Sequence, residues 1–203
     1  MSQPADKQAI VARELSELLH RIGVVRFGEF TLKDGRRSPF YLDMRVLVSH
    51  PAALARVARA LLQRASDLRY DRIAGLPLAV AMSLLAERPM IYVRKEAKEY
   101  GTKKLIEGEF APGERALMVD DVVTSGGAKL DAVTPFRDAG LVVEDVLVIV
   151  DRSDGAAAAL AAHGLRLHSV IDVRSLLAHL RALGTVPVGD VDRALDFLAG
   201  GAA

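Results

Sequence analysis

Residues 117–127 read LMVDDVVTSGG, an apolar run that ends in two carboxylates and is followed by a short turn of hydroxyl-bearing and glycine residues. Residues 128–133 then read AKLDAV, a pattern typical of a helix. This order places the backbone N–H groups of residues 124–128 at a helix N-terminus, where the helix dipole attracts anions. The glycines let the backbone approach an anion closely, and the threonine and serine add hydroxyl donors. The stretch therefore predicts a phosphate-binding loop at the end of a strand.

The two aspartates before this loop need an explanation of their own, because carboxylates repel phosphate. Asp120 and Asp121 can accept hydrogen bonds from the 2- and 3-hydroxyls of a ribose whose 5-phosphate the loop binds, or hold a magnesium ion that bridges those hydroxyls. The structural alternative is that Asp121 or Thr124 only caps the next helix. A cap explains one polar residue, whereas the whole series favours a phosphoribosyl-binding site. No G-x-x-x-x-G-K-[ST] string occurs, which excludes the lysine-containing P-loop.

The composition narrows the classes of protein that fit. A chain of 203 residues is long enough for one α/β domain, so a single domain over 1–203 is expected. Lys and Arg total 27 against 26 Asp and Glu, which gives no global field for nucleic acid or an anionic membrane. The absence of cysteine excludes disulfides, thiolate metal sites and cysteine nucleophiles. Residues 1–7 do not resemble a signal segment, and the apolar runs are too short for a membrane span, so a cytoplasmic protein is expected.

Short apolar segments alternate with helical patterns along the chain. The predicted strands are 72–74, 90–93, 116–119, 142–150 and 165–171, and the predicted helices include 10–22, 79–86, 156–163 and 173–183. This alternation predicts an α/β fold with a mostly parallel central sheet and helices on both faces. A turn-rich segment at about 24–45 predicts a small N-terminal hairpin, or hood. Ligands bind such sheets at the carboxyl ends of the strands, where the carboxylate pair is expected.

With these residues in view, the sequence resembles the orotate phosphoribosyltransferases, which have the type I phosphoribosyltransferase fold, over nearly its full length. The matching strings are GEFTLKDGR at 28–36, SPFY at 38–41, YVRKEAKEYGTK at 92–103, EG at 107–108, DDVVTSGG at 120–127 and VDR at 150–152. The resemblance implies transfer of the phosphoribosyl group of 5-phosphoribosyl 1-pyrophosphate to N1 of orotate. The products would be orotidine 5-phosphate and pyrophosphate, on the route to UMP. It also implies Mg²⁺ held mainly by the substrate, with Asp120 or Asp121 as a protein ligand.

A basic loop at about 94–108 is the second feature that carries chemistry. Its cations outnumber Glu96 and Glu99, and Gly101 gives it a flexible point. Such a loop could close over pyrophosphate and stabilise its growing charge. The residues alone leave a plain solvated loop equally open. The resemblance favours a mobile lid that reaches into the neighbouring subunit of a homodimer with shared active sites.

The resemblance also assigns residues to roles. Catalytic roles go to Lys98, Asp120 and Asp121. Substrate binding goes to Lys33, Tyr41, Leu42, Arg94, Lys95, Tyr100, Val122, Val123, Thr124, Ser125, Gly126, Gly127, Ala128 and Arg152. Arg152 would pair bidentately with the orotate carboxylate, with a surface ion pair as the alternative. Tyr41 would pack against the pyrimidine, although an ordinary core position is nearly as good an explanation.

One segment departs from the family pattern. After the strand that ends near Gly75, the family usually carries a loop of the kind G-x-P-Y-x-x-L-P that binds pyrophosphate, and here Gly75 runs directly into residues 76–85. This shortening leaves a second interpretation open, a phosphoribosyltransferase-fold binding or sensor protein with weak or no catalysis. A transferase for another base is a third, against which the hood and Arg152 argue. A DNA-binding regulator would need an added basic domain, which this sequence lacks.

Overall fold

The computed structural model describes residues 4–32, 35–94 and 105–200. The chain divides into two compact units, Met1–Arg56 with Ile171–Ala203, and Val57–Val170. The first is called the terminal unit below and the second the sheet unit. A single domain over residues 1–203 stays a prediction.

The terminal unit is built from helices and one hairpin. Its elements are helix α1 (Pro4–Arg21), strands β1 (Val25–Thr31) and β2 (Arg37–Leu42), a 3-10 helix (Met44–Ser49), and helices α6 (Val173–Leu183) and α7 (Val188–Leu198). The strands pair antiparallel within the segment predicted as the hood. Buried Ser16 of α1 lies 3.2 Å from Nδ1 of His179 on α6. Phe197 of α7 meets Phe40 of β2 edge to face, so the apolar side of the hairpin is covered by the C-terminal helix.

In its described residues, the sheet unit holds six strands and three helices between them. The strands are β3 (Arg72–Ala74), β4 (Met90–Val93), β5 (Ile106–Glu107), β6 (Arg115–Val123), β7 (Val142–Asp151) and β8 (Arg166–Asp172), and the helices are α3 (Leu78–Ala86), α4 (Gly127–Asp138) and α5 (Ala156–Ala161). Their order in the sheet is β5-β4-β3-β6-β7-β8. Strands β3, β4, β6 and β7 run parallel, and β5 is antiparallel to β4. The boundaries between the units fall in helix α2 (Pro51–Arg64) and in β8.

The core of the sheet unit confirms the predicted fold class, a mostly parallel sheet with helices around it. Residues 145–150 of β7 are all buried, as expected for a parallel strand covered on both faces. Phe136 of α4 and Leu160 of α5 belong to the same buried cluster as Val146 and Val148. Within the described residues, no helix has both the length and the apolar character to cross a membrane.

A charged network lies near the amino ends of β6, β7 and β8. Asp145 is 6% exposed, and its two carboxylate oxygens accept 2.8 Å hydrogen bonds from Nε and Nη2 of Arg166. Nε2 of His168 lies 2.8 Å from the same carboxylate, and Glu144 pairs with both Arg115 and Arg166. Burial alone would raise the pKa of Asp145, but the hydrogen bonds from Arg166 and His168 outweigh it and lower that pKa.

We expect Asp145→Asn to lower the free energy of unfolding at neutral pH by about 2 kcal/mol, because it weakens two charge-assisted hydrogen bonds to a buried group. A carboxylate with a lowered pKa in the folded state stabilises above its unfolded pKa and loses that contribution as the pH falls below it. The gap between wild type and variant should therefore shrink as the pH falls below 3.8. Urea unfolding at several pH values measures it.

Glu144→Gln is the matched control, because Glu144 sits beside Asp145 but is far more exposed. We expect it to cost about 1 kcal/mol or less. Equal losses in the two variants would contradict the special weight given to Asp145.

Candidate active site

Four parallel strands of the sheet unit end at one edge. They end at Ala74, Val93, Val123 and Asp151, so the residues that follow each of them lie at this carboxyl edge. Open α/β sheets bind their ligands at such an edge. Of the sequence-predicted residues, Arg94, the stretch 120–128 and Arg152 are brought to it.

Strand β6 is longer than its sequence pattern predicts. We expected it to end at Val119, but its pairing with β7 continues to the register Val123 opposite Asp151. The extension follows from Val122 and Val123, whose β-branched side chains suit a strand. The two aspartates therefore lie inside the strand rather than just beyond its end.

Backbone amides of this strand orient both carboxylates. The N–H of Asp121 donates to Oδ1 of Asp120 at 2.8 Å, and the N–H of Val122 donates to Oδ1 of Asp121 at 2.6 Å. Burial raises the pKa of the Asp121 carboxyl, and the neighbouring charge of Asp120 raises it further. Asp121 is thus a half-buried carboxylate whose negative charge is poorly compensated by the protein itself.

Lys129, in the first turn of α4, is a charged residue that the sequence interpretation missed. Its Nζ forms an ion pair with Oδ2 of Asp120, and the residue is only 6% exposed. A lysine in a first helical turn opposes the helix dipole and therefore needs a compensating partner. That unfavourable placement is the signal from which the pair could have been suspected.

The loop between β6 and α4 has the geometry expected of an anion site. Gly126 is the N-cap of α4 with φ of +85°, and no side chain caps the helix. The alternative in which Asp121 or Thr124 serves only as a cap is therefore wrong. The N–H groups of Lys129 and Leu130 donate to the Gly126 carbonyl. The N–H groups before them have no acceptor within the helix, as at any helix start, and can donate to an anion.

The exposure of the loop residues shows which of their groups a ligand can contact. Thr124, Ser125, Gly127 and Ala128 are exposed, whereas the side chain of Val123 is buried. Val123 can reach a ligand only through its backbone, and its carbonyl already accepts from the N–H of the residue after Asp151. The loop thus presents hydroxyls and amides rather than apolar side chains.

Arg152 directly follows β7 and is half-buried beside the loop, since its N–H donates to the Val123 carbonyl at 2.9 Å. The preceding Asp151 accepts from both the N–H and the hydroxyl of Ser153, which shapes the turn toward α5. The backbone at Arg152 is therefore held by β6 and by this turn. Its pairing with an orotate carboxylate stays a prediction.

The stem of the basic loop consists of two antiparallel strands. Strands β4 and β5 form its two sides, with Val93 opposite Ile106. Nη1 of Arg94 donates to Oε1 of Glu107 at 2.8 Å, so an anion that binds Arg94 must compete with this carboxylate. Lys95, Lys98 and Tyr100 lie outside the described residues.

The predicted hood residues belong to the terminal unit. Tyr41 stacks on Phe30 with ring centroids 5.6 Å apart, and Leu42 is buried opposite Val25 in the hairpin. Lys33 lies outside the described residues. The roles of these three residues stay predictions.

The oxygen atoms at the carboxyl edge limit how the expected magnesium ion could be bound. Among the residues described, no cluster of three or more His, Asp or Glu side chains could form a metal site of its own. Both oxygens of Asp120 have protein donors, and Oδ1 of Asp121 accepts the N–H of Val122. These residues fit an ion that takes most of its ligands from a phosphorylated substrate and at most one from Asp121.

The short connection after β3 is closely packed against β6. Gly75 has φ of +133°, and a Cβ there would lie well inside van der Waals contact with the Val119 carbonyl oxygen. Only residues 75–77 separate β3 from α3. The shortened segment therefore makes a compact turn at the same edge as Asp120 and Asp121.

Known proteins resemble this chain over most of its length. It is 38% identical to the orotate phosphoribosyltransferase of Cenarchaeum symbiosum over 190 residues, which cover 89% of this chain and 94% of that one. It is also 38% identical to the uridine 5'-monophosphate synthase of Caenorhabditis elegans, of which it spans only 39%. Mycobacterium tuberculosis orotate phosphoribosyltransferase, solved in complex with 5-phospho-alpha-D-ribosyl 1-diphosphate, superposes with a TM-score of 0.67 at 36% identity, covering 82% of this chain and 98% of that one. No family model matches the chain.

Proposed function

This chain belongs to the orotate phosphoribosyltransferase family, and from that premise we propose that it transfers the phosphoribosyl group of 5-phosphoribosyl 1-pyrophosphate to N1 of orotate. The products are orotidine 5-phosphate and pyrophosphate, and the reaction is a pentosyl transfer in pyrimidine biosynthesis. One observation supports the proposal most directly. Within residues 120–128, a strand that carries two carboxylates near its end is followed at once by the amide-rich start of a helix. The proposal covers this one reaction and no further activity of the longer uridine 5'-monophosphate synthases.

The loop and the carboxylates divide the phosphoribosyl group between them. The amides of 124–128 and the hydroxyls of Thr124 and Ser125 bind the 5-phosphate at the start of α4. Asp120 and Asp121 accept hydrogen bonds from the ribose hydroxyls. As the bond to pyrophosphate breaks, the ribose gains positive charge, and the poorly compensated charge of Asp121 stabilises it.

The leaving pyrophosphate needs cations. In the proposed reaction Arg94 and Lys95 bind it and Lys98 is the catalytic cation of a loop that closes over the site. Arg94 is released from Glu107 when the anion binds, because the two acceptors compete for one guanidinium. Mg²⁺, held by the substrate and Asp121, would supply further positive charge to the leaving group.

The acceptor orotate has a carboxylate and a planar ring. Arg152 pairs with the carboxylate, Lys33 and Tyr100 contact the ligands, and Tyr41 and Leu42 pack near the pyrimidine. The proposed enzyme is a cytoplasmic homodimer in which the basic loop serves the neighbouring subunit's site. The binding-protein alternative is not favoured. The relatives that this chain matches over most of their own length are named as transferases.

The test of the proposed function is turnover. Purified protein is given orotate, 5-phosphoribosyl 1-pyrophosphate and Mg²⁺, and both orotate consumption and pyrophosphate release are followed. Equal rates of the two support the proposal. Donor binding without turnover would overturn it in favour of the binding protein, and release with adenine or another base in place of orotate would favour a different transferase.

Lys98→Ala is expected to lower kcat by about 100-fold, because one cation no longer meets the charge that grows on pyrophosphate. Steady-state kinetics measures the loss, and calorimetry with ribose 5-phosphate should show unchanged binding. Arg59→Ala, which removes an exposed cation from α2, is the control and should leave kcat unchanged. An equal loss in both variants would contradict a specific role for Lys98.

The shared-site arrangement has its own readout. Mixed preparations of Lys98→Ala and Asp121→Asn chains should regain part of the wild-type rate, because one site of each mixed dimer then has both residues intact. Mixing without any gain would contradict a loop that acts across the dimer.

A further inference from the structure

Lys129 occupies an unusual position for a lysine. Among the described residues, the buried polar or charged ones are Ser16, Ser38, Lys129 and Asp145. Lys129 is the cation of this group, and it lies in the first turn of α4, next to the anion loop. Burial of an ammonium group is strongly unfavourable unless a counter-charge is in contact with it.

The counter-charge is Asp120. Nζ of Lys129 contacts Oδ2 of that aspartate, while Oδ1 accepts the N–H of Asp121 at 2.8 Å. The carboxylate is therefore held from both ends, by a backbone amide of its own strand and by a side chain from the following helix. Each oxygen keeps further lone pairs for a ribose hydroxyl.

The pair also changes the charge that a substrate meets. Without Lys129, two adjacent carboxylates would face a donor that itself carries a phosphate and a pyrophosphate. With the ammonium in contact, the Asp120–Lys129 pair has almost no net charge for a group that lies further away. Asp121 then supplies the negative charge of the site. The two aspartates are adjacent in sequence but have different electrostatic surroundings.

We propose that Lys129 is a positioning residue, which orients Asp120 through a buried ion pair and cancels its charge so that a phosphorylated ribose can bind beside the two carboxylates. The proposal rests on the proposed function only in naming the sugar phosphate as the ligand. Nothing in it requires orotate or the basic loop.

The first measurement is calorimetric binding of ribose 5-phosphate to the full chain. We expect K129M, which keeps the length and apolar stem of the side chain, to bind about 10- to 50-fold more weakly than the wild type, because an uncompensated carboxylate then faces the phosphate. K129R should bind within about threefold of the wild type, since it keeps the charge.

The second measurement decides whether Lys129 acts through Asp120. In D120N/K129M both charges are absent and asparagine can still accept a hydrogen bond, so ribose 5-phosphate affinity should return to within about fivefold of the wild type. The remaining loss reflects the weaker hydrogen bond that a ribose hydroxyl donates to an amide than to a carboxylate. A double variant that binds as weakly as K129M would show that the ammonium contacts the phosphate directly, which overturns the proposal. The double variant buries no unpaired charge, so it carries the test even where K129M does not fold.

Steady-state kinetics distinguishes a positioning role of Lys129 from a general contribution to the stability of the fold. K129M should raise KM for the phosphoribosyl donor by the same 10- to 50-fold while KM for orotate changes less than about threefold. Val133→Ala, which removes buried volume from the same helix, should lower the melting temperature without such a split. Equal changes in both KM values for K129M would overturn the proposal. A wild type that binds ribose 5-phosphate but does not turn over would refute the proposed function and leave the binding test of Lys129 intact.

Discussion

Asp121→Asn is expected to lower kcat/KM for orotate by about 10³-fold while the protein stays folded. The half-buried carboxylate lies where the ribose develops positive charge, and an interaction between unit charges 4 Å apart is worth about 4 kcal/mol near a protein surface. A loss of that size in the transition state corresponds to about three orders of magnitude in rate. Initial rates of pyrophosphate release over a range of donor and orotate concentrations measure the effect.

The stability of the same variant should move in the opposite direction to its activity. Burial and the charge of Asp120 raise the pKa of Asp121, so its ionised form destabilises the folded state at neutral pH. Asparagine removes this charge and can still accept the hydrogen bond from the N–H of Val122. We therefore expect the melting temperature to be unchanged or higher.

Asp131→Asn is the matched control, because it makes the same substitution at an exposed position of α4. Its kcat/KM should equal that of the wild type. If Asp121→Asn lost less than tenfold in kcat/KM, or if the control lost as much, the role given to this carboxylate would be wrong.

Gly75→Ala is expected to destabilise the fold by more than about 4 kcal/mol. The φ of +133° is open to glycine and strained for alanine, and the added Cβ would overlap the carbonyl oxygen of Val119 in β6. The overlap is with backbone, so no side-chain rotation relieves it. Because Asp120 follows Val119 directly, the same displacement should weaken binding of ribose 5-phosphate in any protein that folds. Urea unfolding and soluble yield measure the first effect, and calorimetry measures the second.

Gly113→Ala separates strain from overlap. Gly113 also has a positive φ, +88°, but no atom lies within 4 Å of the position of its Cβ. Backbone strain alone should cost about 1–2 kcal/mol there, with no effect on ribose 5-phosphate binding. Similar losses in the two variants would mean that the close approach of Gly75 to the Val119 carbonyl of β6 is not what requires glycine at position 75.

Local patterns in the sequence were sufficient for much of this protein. The alternation of apolar and helical segments predicted the sheet, and the run from Asp120 to Gly127 predicted an anion loop at a strand end, because residues close in sequence are also close in space. The strand end at Val119 was misplaced by four residues. Its continuation depends on pairing with β7, where Val123 lies opposite Asp151, 28 positions further along the chain.

The sequence by itself determined the fold class, the family resemblance and the order of the site's parts. Only the tertiary structure decided which charges compensate one another: Lys129 with Asp120, Glu107 with Arg94, and Arg166 with Asp145. Periodicity reports which side of an element is apolar, but a charge pair depends on where two side chains from different elements meet. Residues 117–127 therefore predicted two carboxylates at the site. The packing of α4 against β6 gave those two carboxylates different electrostatic surroundings.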